Sequence, residues 1–311
     1  MLSSQLIFGK EIWQSKKTNT IIDLDLEIGV SFSGYTKDTV YGFAVDHGEL
    51  GITVRKKKKY KAKLSLSAEY LLDSVYIERE KKFLEFKMGR FKIPVGHERL
   101  ENYESEYTYE MSQVGDEISP GRDIGATVTV DIGEESKLTL GAFNGTDTTL
   151  ALRKQSLLLP IRMKFSLMDK KFIFGYNGYY YGEYFGSVDQ ENEIVQGLFT
   201  EIKATKYLSF VVEFLEEFSY VNIENRYSFK QGFLYVSKLE LEKTVFVASM
   251  DMYREDDVRL EDPFDFSYAL EIKRNLDRDV FYQPIFSIRY VDRYIDTLDD
   301  LRIILAVKTI H

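Results

Sequence analysis

The chain has 311 residues, with 50 Asp or Glu against 41 Lys or Arg, and its formal charge of −9 argues against nucleic acid as a partner. It holds no Cys, which excludes a disulfide framework and a Cys-ligated zinc. The 22 Tyr and 22 Phe suit strands, and no run reaches the ~18–20 apolar residues that a membrane helix needs.

The opening, MLSSQLIFGKEIWQSKK, lacks a basic segment followed by a long apolar core, so the expectation is a mature chain with no evident signal peptide. Residues 3–13 supply a weak first strand. In TIIDLDLEIGVSFSG (20–34), Ile22, Leu24, Leu26, Ile28, Val30 and Phe32 share one parity, and Asp23, Asp25 and Glu27 the other. Period-2 alternation predicts a β-strand with one apolar and one polar face. It does not say which face is inside, because a soluble sandwich and a membrane barrel use opposite faces.

The alternation continues through 40–54 and 60–78, the latter read as one strand with a bulge at Leu71–Asp73. It goes on at 83–93, 122–132, 137–144, 157–167, 172–184, 193–203, 207–220, 229–241, 244–254, 265–274, 280–291 and 300–310. No long 3.6-period segment interrupts it, so almost no helix is expected. From residue 95 onward, long connections (95–121, 145–156) take turns with short ones (133–136, 168–171, 242–243). Outer-membrane barrels have this asymmetry, with short periplasmic turns and long extracellular loops. Counting back from the C-terminus gives an antiparallel up-and-down transmembrane β-barrel of 16 strands, with 14 and 18 as alternatives, in a single domain over 1–311. On this count 95–121 is the third extracellular loop. The turn in RKKKKYKAK (55–63) is also extracellular, within reach of anionic headgroups.

The most distinctive stretch is LLDSVYIEREKKFLEFKMGRFKIPVGHERL (71–100), followed by GRDIGATVTVDIGEESKLTLGAFNGTD (121–147). Together they resemble the phosphate-selective porin O/P family, in which a "DAYIE"-like strand precedes "GQFKxPFG" and an "RDIG … FNG" block. The matching positions include Gly89, Phe91, Lys92, Pro94, Gly96, Arg122, Asp123, Gly125, Asn144 and Gly145. The resemblance implies a sixteen-stranded outer-membrane porin, usually trimeric, whose loop after GRFKIPVG folds into the lumen and narrows it. It also implies an arginine ladder and constriction lysines in phosphate-selective members, and an aromatic C-terminal residue. This chain ends AVKTIH.

The loop itself departs from that pattern. It carries Glu98, Glu101, Glu104, Glu106, Glu110, Asp116 and Glu117, with Arg99 and Arg122 as its basic residues. Carboxylates at a narrow point attract cations, so the expectation is a passive channel for small hydrophilic solutes that leans to cations. The namesakes' anion selectivity is the alternative. Lys61, Lys63, Lys87, Arg162 and Lys164 share the polar parity and are expected to face the lumen. The tyrosines of YNGYYYGEY (176–184) suit an interfacial girdle. His47, His97 and His311 form no metal-ligand spacing, and no nucleophile elbow, P-loop or dinucleotide fingerprint appears. No catalytic, cofactor or metal residue is therefore expected. An outer-membrane hydrolase, an adhesive barrel and a soluble sandwich remain as other readings. Membrane lipid, small solutes or ions, and two further copies of the chain are the expected partners.

Overall fold

The computed structural model describes residues 8–15, 20–35, 40–57, 59–67, 72–100, 111–133, 135–145, 155–185, 191–221, 226–256, 264–274, 283–292 and 300–308, with the backbone alone at 8–13, 15, 23–49, 99, 155, 184–185, 191, 221, 226, 256, 274, 283–284, 300–302 and 304–308. The strands are β1 (Phe8–Ser15), β2 (Thr20–Tyr35), β3 (Val40–Lys56), β4 (Tyr60–Ser67), β5 (Ser74–Lys81), β6 (Leu84–Lys92), β7 (Arg122–Asp131) and β8 (Lys137–Phe143). They continue with β9 (Gln155–Leu167), β10 (Phe172–Phe185), β11 (Glu191–Lys203), β12 (Leu208–Val221), β13 (Arg226–Leu241), β14 (Thr244–Asp256), β15 (Asp265–Arg274), β16 (Gln283–Asp292) and β17 (Asp300–Lys308). Two short helices, α1 (His97–Leu100) and α2 (Gln113–Glu117), lie between β6 and β7.

Every pairing is antiparallel and joins chain neighbours, except where β17 returns to β2 through Arg302–Ala306 against Ser31–Tyr35. β1 pairs the same edge of β2 through Thr20–Leu26, so it continues the edge that β17 occupies. An up-and-down meander of this kind follows from hairpins alone, each new strand adding its ladder to the last.

Burial settles the ambiguity of the alternating pattern. On β15, Ser267, Ala269, Glu271 and Lys273 are buried while Tyr268, Leu270 and Ile272 are exposed. Leu270 is 64% exposed and its neighbour Glu271 3%. β16 repeats this, with Ser287 and Arg289 inside and Phe286, Ile288 and Tyr290 outside. A water-soluble fold hides its apolar parity; here that parity forms the outer surface and the polar parity the inner one. Strands such as β11, of 13 residues, rise far enough, about 30 Å at a tilt of ~40°, to cross the apolar core of a bilayer.

Three expectations are corrected. The segment 60–78 is two strands, because Asp73 closes a hairpin rather than a bulge. Its N–H donates to Ser65 O at 3.0 Å, and its carboxylate accepts from the hydroxyls of Ser65 and Ser74 and pairs with Arg122 at 3.1 Å. The extra strand reverses the direction of everything before it, so 57–59 joins the turns 82–83 and 242–243 at the short-turn end. The basic run Arg55–Lys59 therefore lies at that end and not among the long loops. The length alternation also fails at two places, where 222–225 is no longer than 204–207 and 293–299 no longer than 275–282 on the opposite end.

Candidate pore lining

The segment 93–121 leaves the wall at the end of β6 and returns at β7. Its root is built from the residues that carry the family resemblance. Ile93 N donates to Gly121 O at 3.1 Å, closing the base. Phe91 turns inward and meets Phe143 edge-on at 5.2 Å and Tyr76 at 6.1 Å. Asp123 accepts from the N–H groups of Ile124 and Gly145, tying the start of β7 to the end of β8. Gly125 has no room for a side chain, since a Cβ there would stand 2.4 Å from Ala142 O and from the Phe143 ring. Gly89 approaches β5 as closely, with Val75 O 2.1 Å from where a Cβ would be. Gly96 bends the chain at φ +78°, a conformation that favours glycine. Lys92 is half-buried, Pro94 buried, and Asn144 exposed, with its N–H donating to Ile124 O at 3.0 Å.

Beyond the root, α1 and α2 meet the inner face of the opposite wall. Gly96 N donates to Asn177 Oδ1 on β10 at 3.3 Å. His97 N and Glu98 N both donate to the Glu213 carboxylate on β12, the latter at 2.9 Å. The His97 ring stacks on Phe199 of β11 at 4.5 Å, with Arg162 of β9 at its Nδ1. From β16, Arg289 donates to Met111 O at 3.0 Å and to Asp251 of β14 at 3.1 Å, while Gln113 N donates to that same Asp251. Val95, Val114 and Ile118 pack with Val195 and Leu215. Val114 also lies over Gly232, whose missing side chain makes the space.

Glu98 is not open to water. It is 1% exposed, and its carboxylate accepts from Ser112 N at 2.8 Å and from Ser112 Oγ. Burial raises its pKa to about 8, the negative charges of Glu213 and Asp251 add to that, and the Ser112 hydrogen bonds oppose it. Burial thus favours the neutral form of Glu98 and sets it apart from the water-facing carboxylates of the loop. Asp116 and Glu117 are exposed at the end of α2. Arg122 is half-buried and engaged with Asp73. Glu101, Glu104, Glu106, Glu110 and the Arg99 side chain lie outside the described residues, as do the side chains of Asp23, Asp25 and Glu27.

The basic residues of the polar parity sit on the inner face. Arg162 is buried against Phe199, and Lys61, Lys63, Lys87 and Lys164 are half-buried. Lys87 Nζ stands 4.0 Å from the Tyr76 ring and 4.7 Å from that of Phe91. The tyrosine run of β10 splits between faces. Tyr179 and Tyr181 are buried inside, hydrogen-bonded to Glu193 and Glu183, whereas Tyr180 is on the outer face. Only the outer-facing part of that run can serve a girdle. Residues that the sequence reading did not single out complete the docking wall: Asn177, Glu213, Asp251 and Arg289. A signal was present in VVEFLEE (211–217), where Val211 and Leu215 break the polar parity and mark an inner wall with something packed on it.

Comparison with known proteins places the fold. OmpT of Vibrio cholerae in its trimer form, an outer membrane protein, superposes with a TM-score of 0.75 at 9% identity, over 93% of this chain and 99% of that one. The outer membrane channel DcaP of Acinetobacter baumannii does so with 0.68 at 10% identity, over 96% and 99%. A porin gives 0.63 at 9% identity, over 93% and 99%. The chain thus has the outer-membrane porin fold. No protein-family model and no curated relative matches the sequence. The comparisons thus bear out the porin fold and leave membership of the O/P family open.

Proposed function

We propose that the chain is an outer-membrane porin, a passive diffusion channel for small hydrophilic solutes and ions. The observation that carries this is the inverted burial of the strands, apolar parity outside and charged parity inside. A barrel in a bilayer requires that arrangement, and water penalises it. In this reading β2–β17 form a closed sixteen-strand barrel, with β1 extending the seam beside β17. The loop 93–121 folds into the lumen and narrows it, and three copies assemble as in the trimer form of the Vibrio protein.

We infer a lean toward cations. Asp116, Glu117 and the further carboxylates of 101–110 supply the loop's negative charge, while Glu98 is neutralised by burial. The alternative, an anion-preferring channel like the O/P namesakes, is favoured by the inner Lys61, Lys63, Lys87, Arg162 and Lys164. Single-channel recording in a planar bilayer under a KCl gradient decides between them through the sign of the reversal potential. Neutralising Glu101, Glu104 and Glu106 together reduces a cation preference; an unchanged potential would exclude that stretch from the current path. A hydrolase or adhesive barrel predicts no conductance, so the same recording separates those readings.

A further inference from the structure

We propose that the channel rectifies, because its two mouths carry fixed charge of opposite sign: acidic at the long-connection end and basic at the short-turn end. This rests on the channel reading above.

The register of the strands sorts the inner charges by height. Near the long-connection end, Glu217 of β12 stands opposite Lys230 of β13, which stands opposite Glu255 of β14. Glu193 lies diagonally from Glu217, since its second neighbour Val195 pairs with that residue. Glu183, at the same end of β10, and Glu117 of α2 add to this belt. Lys230 bonds Glu217 at 3.4 Å and offsets one carboxylate; counted over the described residues, the belt is net negative. Tyr179 and Tyr253 donate their hydroxyls to Glu193 and Glu255, holding two of the carboxylates in place.

Near the short-turn end the balance reverses. Arg55 of β3 pairs with Lys61 of β4, Lys61 with Glu78 of β5, and Glu78 with Lys87 of β6. Lys63 follows on β4, and Lys137 of β8 stands opposite Lys164 of β9. Glu78, Glu85 and Asp131 offset part of this charge. On the other wall at that end, Lys203, Lys238 and Lys273 are matched by Glu201, Glu240 and Glu271 at 3.4, 2.6 and 3.3 Å. Among the described residues the short-turn belt is therefore net positive. The two belts are on the order of 20 Å apart along tilted strands. That exceeds the Debye length of ~10 Å in 0.1 M salt, so neither belt cancels the other.

A pore charged in this way passes more current when each belt's counterions are driven inward through it. Cations then enter through the acidic mouth and anions through the basic one, and both accumulate between the belts. The opposite voltage depletes that region. Current is larger when the long-connection side is positive.

The test uses the full chain in a planar phospholipid bilayer with equal KCl on both sides. Because the chain lacks Cys, an Ala204→Cys substitution in the exposed 204–207 turn, labelled from one side with an impermeant thiol reagent, fixes the orientation. In 0.1 M KCl the current ratio at opposite voltages is expected to be roughly 1.5- to 2-fold. It falls toward unity in 1 M KCl, where the screening length is ~3 Å. Glu193→Gln, Glu217→Gln and Glu255→Gln together lower the ratio, and Lys61→Gln with Lys63→Gln lowers it independently should the first set fail to fold. Symmetric currents in 0.1 M KCl with normal conductance, or a ratio indifferent to both sets, would overturn rectification and leave the channel. A complete lack of conductance would instead overturn the channel reading.

Discussion

The docking of loop 93–121 on the inner wall can be tested by locking it there. A Cβ added to Gly232 of β13 would stand 3.1 Å from the Cβ of Val114 and 2.5 Å from its Cγ2. A disulfide wants its two Cβ atoms about 3.5–4.5 Å apart. The pair Val114→Cys with Gly232→Cys removes the crowding methyl and asks α2 to move by only about half an ångström. The native chain has no Cys, so no other partner competes. A bridge spanning more than a hundred residues restricts the unfolded chain by about 4–5 kcal/mol on the chain-entropy account, less whatever strain it introduces. The assay is thiol titration and non-reducing gel mobility after mild oxidation, followed by single-channel recording before and after reductant. The expected result is complete bridging with the unitary conductance unchanged, since the bond holds the loop where it already rests. Persistent free thiols, or a conductance that changes when the bridge is reduced, would refute the docked position.

Two further outcomes follow from single residues. Glu98, held protonated by burial up to about pH 8, binds a proton in the fold that the unfolded chain has already released above its ordinary value of 4.5. Its stabilising contribution is complete below that ordinary value and is lost as pH rises toward and through 8, by up to ~1.4 kcal/mol per pH unit over that span. Thermal midpoints in detergent should therefore fall between pH 6 and 9 in the native chain, and this component of the fall should vanish in Glu98→Gln; an equally steep fall in the variant would count against it. Leu270→Arg places a charge on the outer face and costs about 2–4 kcal/mol in lipid vesicles by urea unfolding. In a soluble sandwich the same exposed position would tolerate arginine, so a near-zero effect would remove the membrane assignment.

Much of the architecture is legible in the alternation, because a strand's period survives any choice of which side is wet. What the alternation lacks is polarity: Leu270 and Glu271 read the same in either world until neighbouring strands place one of them outside. The split at Asp73 was hidden for a similar reason. A one-residue parity shift describes a bulge or a hairpin equally well, and only the closing bonds from Ser65 and Ser74 and the pair with Arg122 distinguish them. The site was less legible. Sequence counts the loop's carboxylates but cannot tell that Glu98 is buried on Ser112 near two more acids while Asp116 is exposed. Glu213 and Asp251 are ordinary members of a polar parity until the loop's N–H groups arrive over them.

On the channel reading, the same burial pattern predicts the water path. Inner residues of β10, β12, β14 and β16 are covered where the loop rests on them, among them Asn177, Glu213, Asp251 and Arg289. Inner residues of β4–β6 (Lys61, Lys63, Tyr76, Glu78, Glu85 and Lys87) stay half-exposed. A loop held against one wall leaves its opening along the other, so on the channel reading ions are expected to pass beside the lysines of β4 and β6 rather than beside Arg289. Single-cysteine substitutions read this directly. Lys63→Cys should react with a charged methanethiosulfonate added to the bath and alter the current, whereas Asn177→Cys, buried beneath Gly96 of the loop, should not. Equal reaction at both positions would mean that the loop leaves the inner wall in the conducting state. That would add Asp251 and Arg289, which the loop's departure would uncover, to the charges beside the ion path.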